Sequence, residues 1–441
     1  MSFNPPDGTR YVLPDAAARR AEVVATLRDL YRGWGYDMVE VPALERYDPA
    51  HPRQAQSFKL SDRDSGVLAL RSDFTPALAQ LVRAEHPAVA GGACRPLRWQ
   101  YAGPVWHAID PELARTREFS QIGLELIGVS NARADAEILH LARESVRVVG
   151  LQPRLEVGNP GFVRALLDAA AVPDERRDAL ADAIDRKDRR DLADLLATTG
   201  LARESGHARE SGHARESGHA RESGHARESG HAGRGGPDHD IDRARQALLA
   251  VPDLYGGTEV LENARAVAPW PEAQREIDRL AGVLAEFEDA SELMLDLAMA
   301  RRLAYYTGVT FRAYTPDFGQ PLLGGGRYDG ALLPAAAGFS IGIERLLQAT
   351  RSLSPEPEPA PRVLALDDPA ARVLRSAGVR VVRALHADVE AAGAEARDRQ
   401  MPFLLFDGRL VRVEGVATDD AAYAAVTTLL RGADSAAEDR Q

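Results

Sequence analysis

The chain of 441 residues is too long for one ordinary hydrophobic core, so its length predicts two or three structural units. Its 54 basic and 66 acidic residues give a formal net charge of −12, which argues against general nucleic-acid affinity but leaves a local basic groove open. The single cysteine, Cys94, excludes an intrachain disulfide and a thiolate zinc cluster, and the lack of a signal region or of 18 consecutive apolar residues predicts a cytoplasmic protein without a membrane span.

Two helices are predicted near the N-terminus. The stretch "DAAARRAEVVATLRDLYRGWG" at 15–35 places Leu27, Tyr31 and Trp34 at helical spacing and stops at glycines. The stretch "SDFTPALAQLVRAEHP" predicts a second helix, with Thr75 as its N-cap and Pro76 at its first position.

Extended segments surround the second helix. "YDMVEVPAL" at 36–44 alternates like a strand, and Pro42 is expected near a sheet edge or an intersubunit contact, where its missing N–H does no harm. Strands are predicted to dominate from residue 96 to residue 127.

The middle of the chain predicts a helical insertion at 161–290 with a disordered segment inside it. The unit "ARESGH" repeats five times from 202 to 231, and its length and glycine content fit neither a solenoid nor a stable helix. Weak metal binding by the repeated histidines is the alternative, although flexible spacing fixes no coordination geometry. We predict no metal and no cofactor.

The division of the rest follows composition. The stretch "SPEPEPAP" at 354–361 is predicted to be a linker. Strand-like and helical patterns alternate from 362 to 441, which predicts a small α/β domain. Its 11 arginines and 13 acidic residues make it a poor RNA-binding module.

The stretch "REFSQIGLELIG" predicts a strand with one apolar face and one polar face. Gln121, Gly123 and Glu125 share the polar face, with a glycine where a ligand could approach closely. The alternative is that this face simply meets solvent.

Two glycine-containing stretches follow. "LLGGGRYDG" at 322–330 predicts either a structural turn or a close approach to a ligand, and it is not a Walker phosphate loop because no Lys-Ser or Lys-Thr follows. "GFSIGIERLLQAT" at 338–350 predicts a strand followed by a helix that carries Arg345.

In this order, "YDMVEVPAL", "YAGPVWHAIDP", "RRLAYYTG", "LLGGGRYDG" and "GFSIGIERLL" resemble the motifs of the histidyl-tRNA synthetase family. The resemblance covers roughly residues 5–350 except the repeat. It implies an α+β fold: a class II synthetase-like antiparallel sheet flanked by helices, with the helical insertion and the C-terminal α/β domain added. The resemblance also implies that segments 1–160 and 291–353 form this synthetase-like core in two parts.

The resemblance also implies an amino-acid pocket for histidine. Asp73, Thr75 and Gln121 would hold the amino group, Glu125, Tyr305 and Tyr306 would face the imidazole, and Arg301 would face the carboxylate. Arg302 and Ala304 depart from the family pattern and leave the detailed pocket shape open.

The ATP site departs most from the family pattern. His107 stands in place of the arginine that grips the α-phosphate, Ile109 in place of a glutamate, and Asp110 in place of a second arginine. A neutral imidazole lacks the bidentate fork of a guanidinium, and an aspartate near phosphates adds repulsion. The site is therefore interpreted as degenerate, and no catalytic residue is predicted.

A histidine pocket without an ATP grip resembles the regulatory-subunit branch associated with ATP phosphoribosyltransferase. That resemblance implies a histidine-sensing subunit without catalysis, partnered by a short-form catalytic subunit, as a homodimer within a hetero-oligomer such as a hetero-octamer. Binding of tRNA is not expected. An active histidyl-tRNA synthetase and a synthetase-like protein for another amino acid or partner are the alternatives.

Overall fold

The computed structural model of the protein describes residues 4–49, 51, 54–63, 66–91, 96–110, 116–204, 237–287, 292–300, 305–316, 318–351, 362–366 and 368–438. The chain forms two compact units, Met1–Leu353 and Ser354–Gln441. The predicted linker and the repeat from residue 205 onward lie outside the described residues, and the finer division of the first unit stays a prediction.

The first unit contains helices before, within and after its sheet. They are α1 (Pro14–Gly33), α2 (Phe74–Glu85), α3 (Pro87–Ala90), α4 (Ala132–Arg147), α5 (Pro160–Ala169), α6 (Asp174–Asp185), α7 (Arg189–Glu204), α8 (Pro237–Ala250), α9 (Val260–Val267), α10 (Pro271–Ala285) and α11 (Ile343–Arg351). Helix α1 buries Leu27 and Tyr31, as its apolar spacing predicts. Trp34 does not continue that face: the helix ends at Gly33, and Trp34 is 41% exposed.

The strands of the first unit are β1 (Asp37–Met38), β2 (Leu44–Arg46), β3 (Lys59–Ser61), β4 (Val67–Leu70), β5 (Leu97–Trp106), β6 (Glu118–Ile127), β7 (Arg154–Gly158), β8 (Tyr255–Gly256), β9 (Leu293–Asp296), β10 (Thr310–Thr315), β11 (Phe318–Arg327) and β12 (Ala336–Gly342). Nine of them form one sheet in the order β1-β5-β6-β12-β11-β10-β7-β9-β8. Only the pairs β1–β5 and β7–β9 are parallel among these described strands. The predicted antiparallel sheet flanked by helices is confirmed.

The two faces of the nine-stranded sheet have different roles. Ile122, Leu124 and Leu126 of β6 are fully buried in the same apolar cluster as Leu27 of α1 and Ile138 of α4. Alternation along a strand sends the intervening side chains to the opposite face, where the candidate site lies.

The start of α2 differs from the prediction. Asp73, not Thr75, is the N-cap: its Oδ1 accepts a hydrogen bond from the Thr75 backbone N–H at 3.1 Å. Pro76 is consequently the third helical residue. The carboxylate at 73 already satisfies an orphan backbone donor, so the helix begins two residues earlier than the Thr-Pro pair indicated.

The segment 36–44 is also less extended than predicted. Strand β1 covers only Asp37–Met38. Beyond it, the Arg71 guanidinium donates Nη1–H to the backbone carbonyls of Val41 at 2.7 Å and Pro42 at 3.0 Å. A side chain thus satisfies carbonyls that a neighbouring strand would otherwise pair.

The three consecutive glycines at 324–326 lie inside β11, so the interpretation as a turn is wrong. Gly325 pairs with Phe339 of β12, and a Cβ at this position would collide with the Gly338 carbonyl and lie 2.7 Å from the Phe339 Cα. The glycine permits close packing of two central strands.

We expect Gly325→Ala to lower the free energy of unfolding by about 1–3 kcal/mol, because the added methyl group overpacks rigid backbone. Gly324→Ala is the matched control, since its Cβ would meet only the Phe311 carbonyl at an ordinary 3.6 Å. Urea denaturation of both variants measures the difference. Equal losses in the two variants would contradict this account.

The second unit has its own four-stranded sheet and core. Its elements are β13 (Arg362–Ala365), α12 (Asp368–Ser376), β14 (Arg380–Arg383), α13 (Val389–Asp398), β15 (Phe403–Phe406), β16 (Arg409–Arg412) and α14 (Asp420–Glu438), with strand order β14-β13-β15-β16. The predicted α/β domain is confirmed; it contains three helices, and β16 pairs antiparallel with β15 after the turn at Asp407 and Gly408. Both turn residues have positive φ, as a tight hairpin requires.

Membrane-spanning character was searched over the described residues. None of the helices there combines the length and the apolar character that crossing a bilayer requires.

Candidate amino-acid-binding site

Glu125 lies on the polar face of β6 but is buried. The residue is only 2% exposed, so the alternative of a solvent-facing strand side is wrong at this position. Its Oε1 accepts a hydrogen bond from the Thr75 hydroxyl at 2.9 Å, and its Oε2 accepts one from the Tyr328 hydroxyl at 2.7 Å. Residues from β6, α2 and the segment after β11 therefore meet at one carboxyl group.

Burial dominates the titration of this carboxyl group. Desolvation raises the pKa of Glu125 to about 8, against the lowering effect of the Tyr328 and Thr75 hydrogen bonds, and the Asp73 carboxylate raises it further. Among the described residues, Glu125 forms no ion pair. The site consequently holds an acidic group whose charged form would be stabilised by a bound cation.

The proton on Glu125 should make stability depend on pH. The folded protein holds this proton up to about pH 8, while an unconstrained glutamate releases it near 4.5. The stabilisation is therefore fully present below 4.5 and is lost as the pH rises through 8. We expect Glu125→Gln, which cannot ionise, to gain stability relative to the wild type between pH 5 and pH 8.

Urea denaturation of the ligand-free chain at several pH values in that window would measure the effect. Glu262→Gln, at an exposed helical position, is the control and should follow the wild type. Superimposable pH profiles for the wild type and Glu125→Gln would show that the carboxyl group is not buried and protonated as described.

Two glycines, Gly338 and Gly123, leave room for the Glu125 carboxyl group and for the Tyr101 ring. Gly338 of β12 is the direct cross-strand partner of Glu125, and a Cβ there would collide with the Glu125 carboxyl group. A Cβ at Gly123 would lie 2.5 Å from the Tyr101 hydroxyl oxygen. The close approach predicted for Gly123 is thus made by a tyrosine of the same protein, whose ring stacks on Phe74 at 4.4 Å.

Asp73 lies near this carboxyl group, and Gln121 lies on the same face of β6, four residues or about 13 Å along the strand. Asp73 is partly buried as it caps α2, and its charge acts on Glu125, Tyr101 and Tyr305. The Gln121 Oε1 atom is buried and has no hydrogen-bond partner among the described residues. A buried unpaired acceptor is costly, and a ligand N–H group would satisfy it.

Three tyrosines form an aromatic wall. The Tyr305 ring stacks with Tyr328 at 5.3 Å between centroids and meets the Tyr306 ring edge-on at 5.0 Å. Burial raises the pKa of Tyr305, with the Asp73 and Glu125 carboxyls adding to the effect, so the hydroxyl stays protonated. This wall suits a planar ring beside it.

Sequence reasoning missed Tyr328 and Tyr101 as members of this site. Both lie within stretches that resemble family motifs, "LLGGGRYDG" and "YAGPVW", but no local pattern separates them from core tyrosines. Of the predicted pocket residues, Arg301 lies outside the described residues. The other six are described, and Glu125 hydrogen-bonds directly to Thr75.

Two of the three residues predicted to form a degenerate phosphate site, His107 and Ile109, make contacts within the protein. His107 Nε2 lies 3.0 Å from the Ser72 carbonyl oxygen, and its ring packs edge-on against Phe119. The Ile109 carbonyl accepts a hydrogen bond from Arg117 Nε at 2.8 Å, while Asp110 is exposed. Neither His107 nor Ile109 can grip a phosphate as a guanidinium does.

Comparison with known proteins agrees with this fold. The sequence model of the histidyl-tRNA synthetase family matches residues 8–346. The ATP phosphoribosyltransferase regulatory subunit of Thermus thermophilus is 44% identical over 93% of this chain and 99% of its own length. The protein of the same name from Deinococcus radiodurans is 42% identical over 85% of this chain and 82% of its own length.

A solved structure has a similar fold. It is the Bacillus halodurans protein described as an ATP phosphoribosyltransferase regulatory subunit/histidyl-tRNA synthetase, with a TM-score of 0.67 at 24% identity, covering 90% of this chain and 97% of its own. The fold and the site thus define a class II, histidyl-tRNA synthetase-like protein. Within that class, the chain belongs to the ATP phosphoribosyltransferase regulatory subunit family.

Proposed function

We propose that the chain is the non-catalytic subunit of a two-component ATP phosphoribosyltransferase and that its synthetase-like pocket binds L-histidine as the feedback signal. The observation that carries the proposal is the contrast between two neighbouring regions. Glu125 and its hydroxyl partners remain assembled and buried, while the ATP-gripping arginine is replaced by His107, which lies against the Ser72 carbonyl.

The chemistry of the pocket fits histidine. Asp73, Thr75 and Gln121 would receive the ammonium group, and Glu125 would accept an imidazole N–H beside the Tyr305 and Tyr306 rings. Arg301 would pair with the carboxylate. Binding would need no ATP, because contacts within the chain already position Asp73, Thr75 and Glu125.

An active histidyl-tRNA synthetase is the competing function, supported by the retained arginines Arg301 and Arg345, of which the structure describes Arg345. That guanidinium donates Nη1–H to the Pro321 carbonyl at 2.7 Å. An active synthetase would catalyse histidine-dependent exchange between ATP and pyrophosphate, and we expect no such exchange here.

Co-expression with a short-form phosphoribosyltransferase tests the main proposal. The two chains should co-purify, the catalytic chain should gain activity from this one, and histidine should inhibit the complex. Histidine-dependent pyrophosphate exchange by this chain alone would refute it. Failure to co-purify, or binding of a different amino acid, would favour a synthetase-like protein with another role.

A homodimer is proposed from the small sheet β2-β4-β3. Leu44, Leu60, Leu68 and Leu70 share one of its faces by register, and Leu44 and Leu60 are 49% and 43% exposed. Exposed apolar side chains grouped on one face are typical of a subunit contact.

We therefore expect the chain to sediment as a dimer at micromolar concentration and Leu44→Asp combined with Leu60→Asp to shift it to a monomer. The control is Leu385→Asp, a single leucine that is 83% exposed in the second unit. A dimer unaffected by the double substitution would place the contact on another surface.

A further inference from the structure

A cavity of about 320 Å³ lies on the outer part of the nine-stranded sheet. Charged, aromatic and apolar side chains line it: Arg154, Glu156, Tyr255, Glu292, Met294 and Tyr314, together with two leucines. Four strand steps separate β7 from β6 in the sheet, or about 19 Å at a spacing of about 4.8 Å. The cavity is therefore a separate site from the Glu125 pocket.

Strand register assembles one wall of this cavity. Tyr314 of β10 is the cross-strand partner of Arg154, and Met294 of β9 is the partner of Glu156. Partners in register point to the same face of a sheet, so a tyrosine ring and a thioether lie beside a guanidinium and a carboxyl group. An aromatic ring and a methionine are the surface that a flat apolar ligand requires.

The two carboxyl groups of the cavity already have partners. Glu292 accepts a hydrogen bond from Arg147 Nη2 at 2.6 Å and lies 3.8 Å from Arg143 Nη1. Glu156 accepts one from the Tyr314 hydroxyl at 3.3 Å and lies 3.7 Å from Arg312 Nη1. Because both negative charges are compensated, the cavity offers little to a cationic ligand.

Arg154 and Tyr255, two other lining residues of the cavity, are accessible to a ligand. Arg154 is exposed, and its guanidinium has no hydrogen-bond or ion-pair partner within the part of the chain that the structure describes. Tyr255 is 46% exposed, while Lys187 Nζ lies 4.1 Å from its ring centroid and 3.0 Å from Asp296. Lys187 thus packs against the ring of Tyr255. The Arg154 guanidinium remains available to an anion.

We propose that this cavity binds a planar aromatic anion, with its ring against Tyr255, Tyr314 and Met294 and its carboxylate or phosphate on Arg154. The proposal is independent of histidine binding, since the two sites share no residue. A carboxylate and a phosphate would make the same contact with the guanidinium, and the probes below distinguish them.

Calorimetric titration of the full chain with four probes tests the proposal. Indole-3-acetate carries a carboxylate, indole-3-acetamide is its neutral counterpart, tryptamine is its cationic counterpart, and phenyl phosphate carries a phosphate. At least one of the two anions should bind saturably at one site per chain, and roughly tenfold or more tightly than the amide or the amine, since hydrogen bonds to charged groups are the stronger ones. The tighter anion identifies the preferred headgroup.

Variants locate the binding. Arg154→Met should weaken anion binding roughly tenfold, to the level of the amide, and Tyr255→Ala should weaken all binding. Two controls should retain the wild-type affinity: Arg409→Met, at an exposed arginine of the second unit, and Glu125→Gln in the other pocket. No saturable binding of either anion, tighter binding of the amide or the amine, or equal affinities for Arg154→Met and Arg409→Met would overturn the proposal.

Discussion

Asp135→Asn should destabilise the first unit by about 3–5 kcal/mol, the cost of removing one partner from a buried ion pair. Arg327 is fully buried in β11, and its Nε donates to Asp135 Oδ1 of α4 at 2.6 Å. Its Nη1 donates to Asp329 at 2.8 Å and to the Val129 carbonyl at 3.0 Å. Asparagine keeps the shape of the acid but leaves the arginine charge without its most buried counterion.

Urea denaturation measures this loss. Asp178→Asn, at an exposed position of α6, is the matched control and should stay within about 0.5 kcal/mol of the wild type. A loss for Asp135→Asn as small as that of the control would show that the guanidinium finds solvent or another partner.

Replacing Arg327 instead of Asp135 distinguishes the contributions of the two charges. Arg327→Met leaves Asp135 buried without its main cation, and burial already raises the pKa of this carboxyl group. A carboxylate can relieve the cost by taking up a proton, whereas an arginine stays charged. Arg327→Met should therefore recover stability towards pH 5, and Asp135→Asn should not.

Glu125→Ala should weaken histidine binding by about 1–3 kcal/mol, the usual cost of leaving buried polar groups unpaired. The substitution removes the acceptor of both the Thr75 and the Tyr328 hydroxyl groups along with the proposed imidazole partner. It should relieve feedback inhibition of the complex without abolishing activation of the catalytic chain, because the pocket is not proposed as the partner contact.

Calorimetry on the isolated subunit and on the complex measures both effects. By linkage, any change that histidine makes in the affinity for the catalytic partner must appear equally as a change that the partner makes in the affinity for histidine. Glu262→Ala, at an exposed position of α9, is the control. Unchanged histidine affinity of Glu125→Ala in both settings would move the sensing site elsewhere, such as the interface between subunits.

The sequence by itself determined the features that depend on local periodicity and on motif order. The apolar spacing in α1, the alternation along β6 and the strand-to-helix change from β12 to α11 are all visible within a single window of the chain. The ordered motifs identified the synthetase-like class, and the residues at His107 and Asp110, where the family has arginines, predict a degenerate ATP site. These signals are local, so no tertiary contact is needed to detect them.

Only the tertiary structure decided which of these residues are buried together. Glu125 is buried because Thr75 and Tyr328, 50 and 203 residues away, close over the polar face of its strand. The glycine run lies inside a strand rather than a turn because β11 packs closely against β12, a constraint absent from the run itself. Burial and pairing are non-local properties, and they place the Glu125 carboxyl group in the interior, where the strand pattern alone fits an ordinary solvent-facing side.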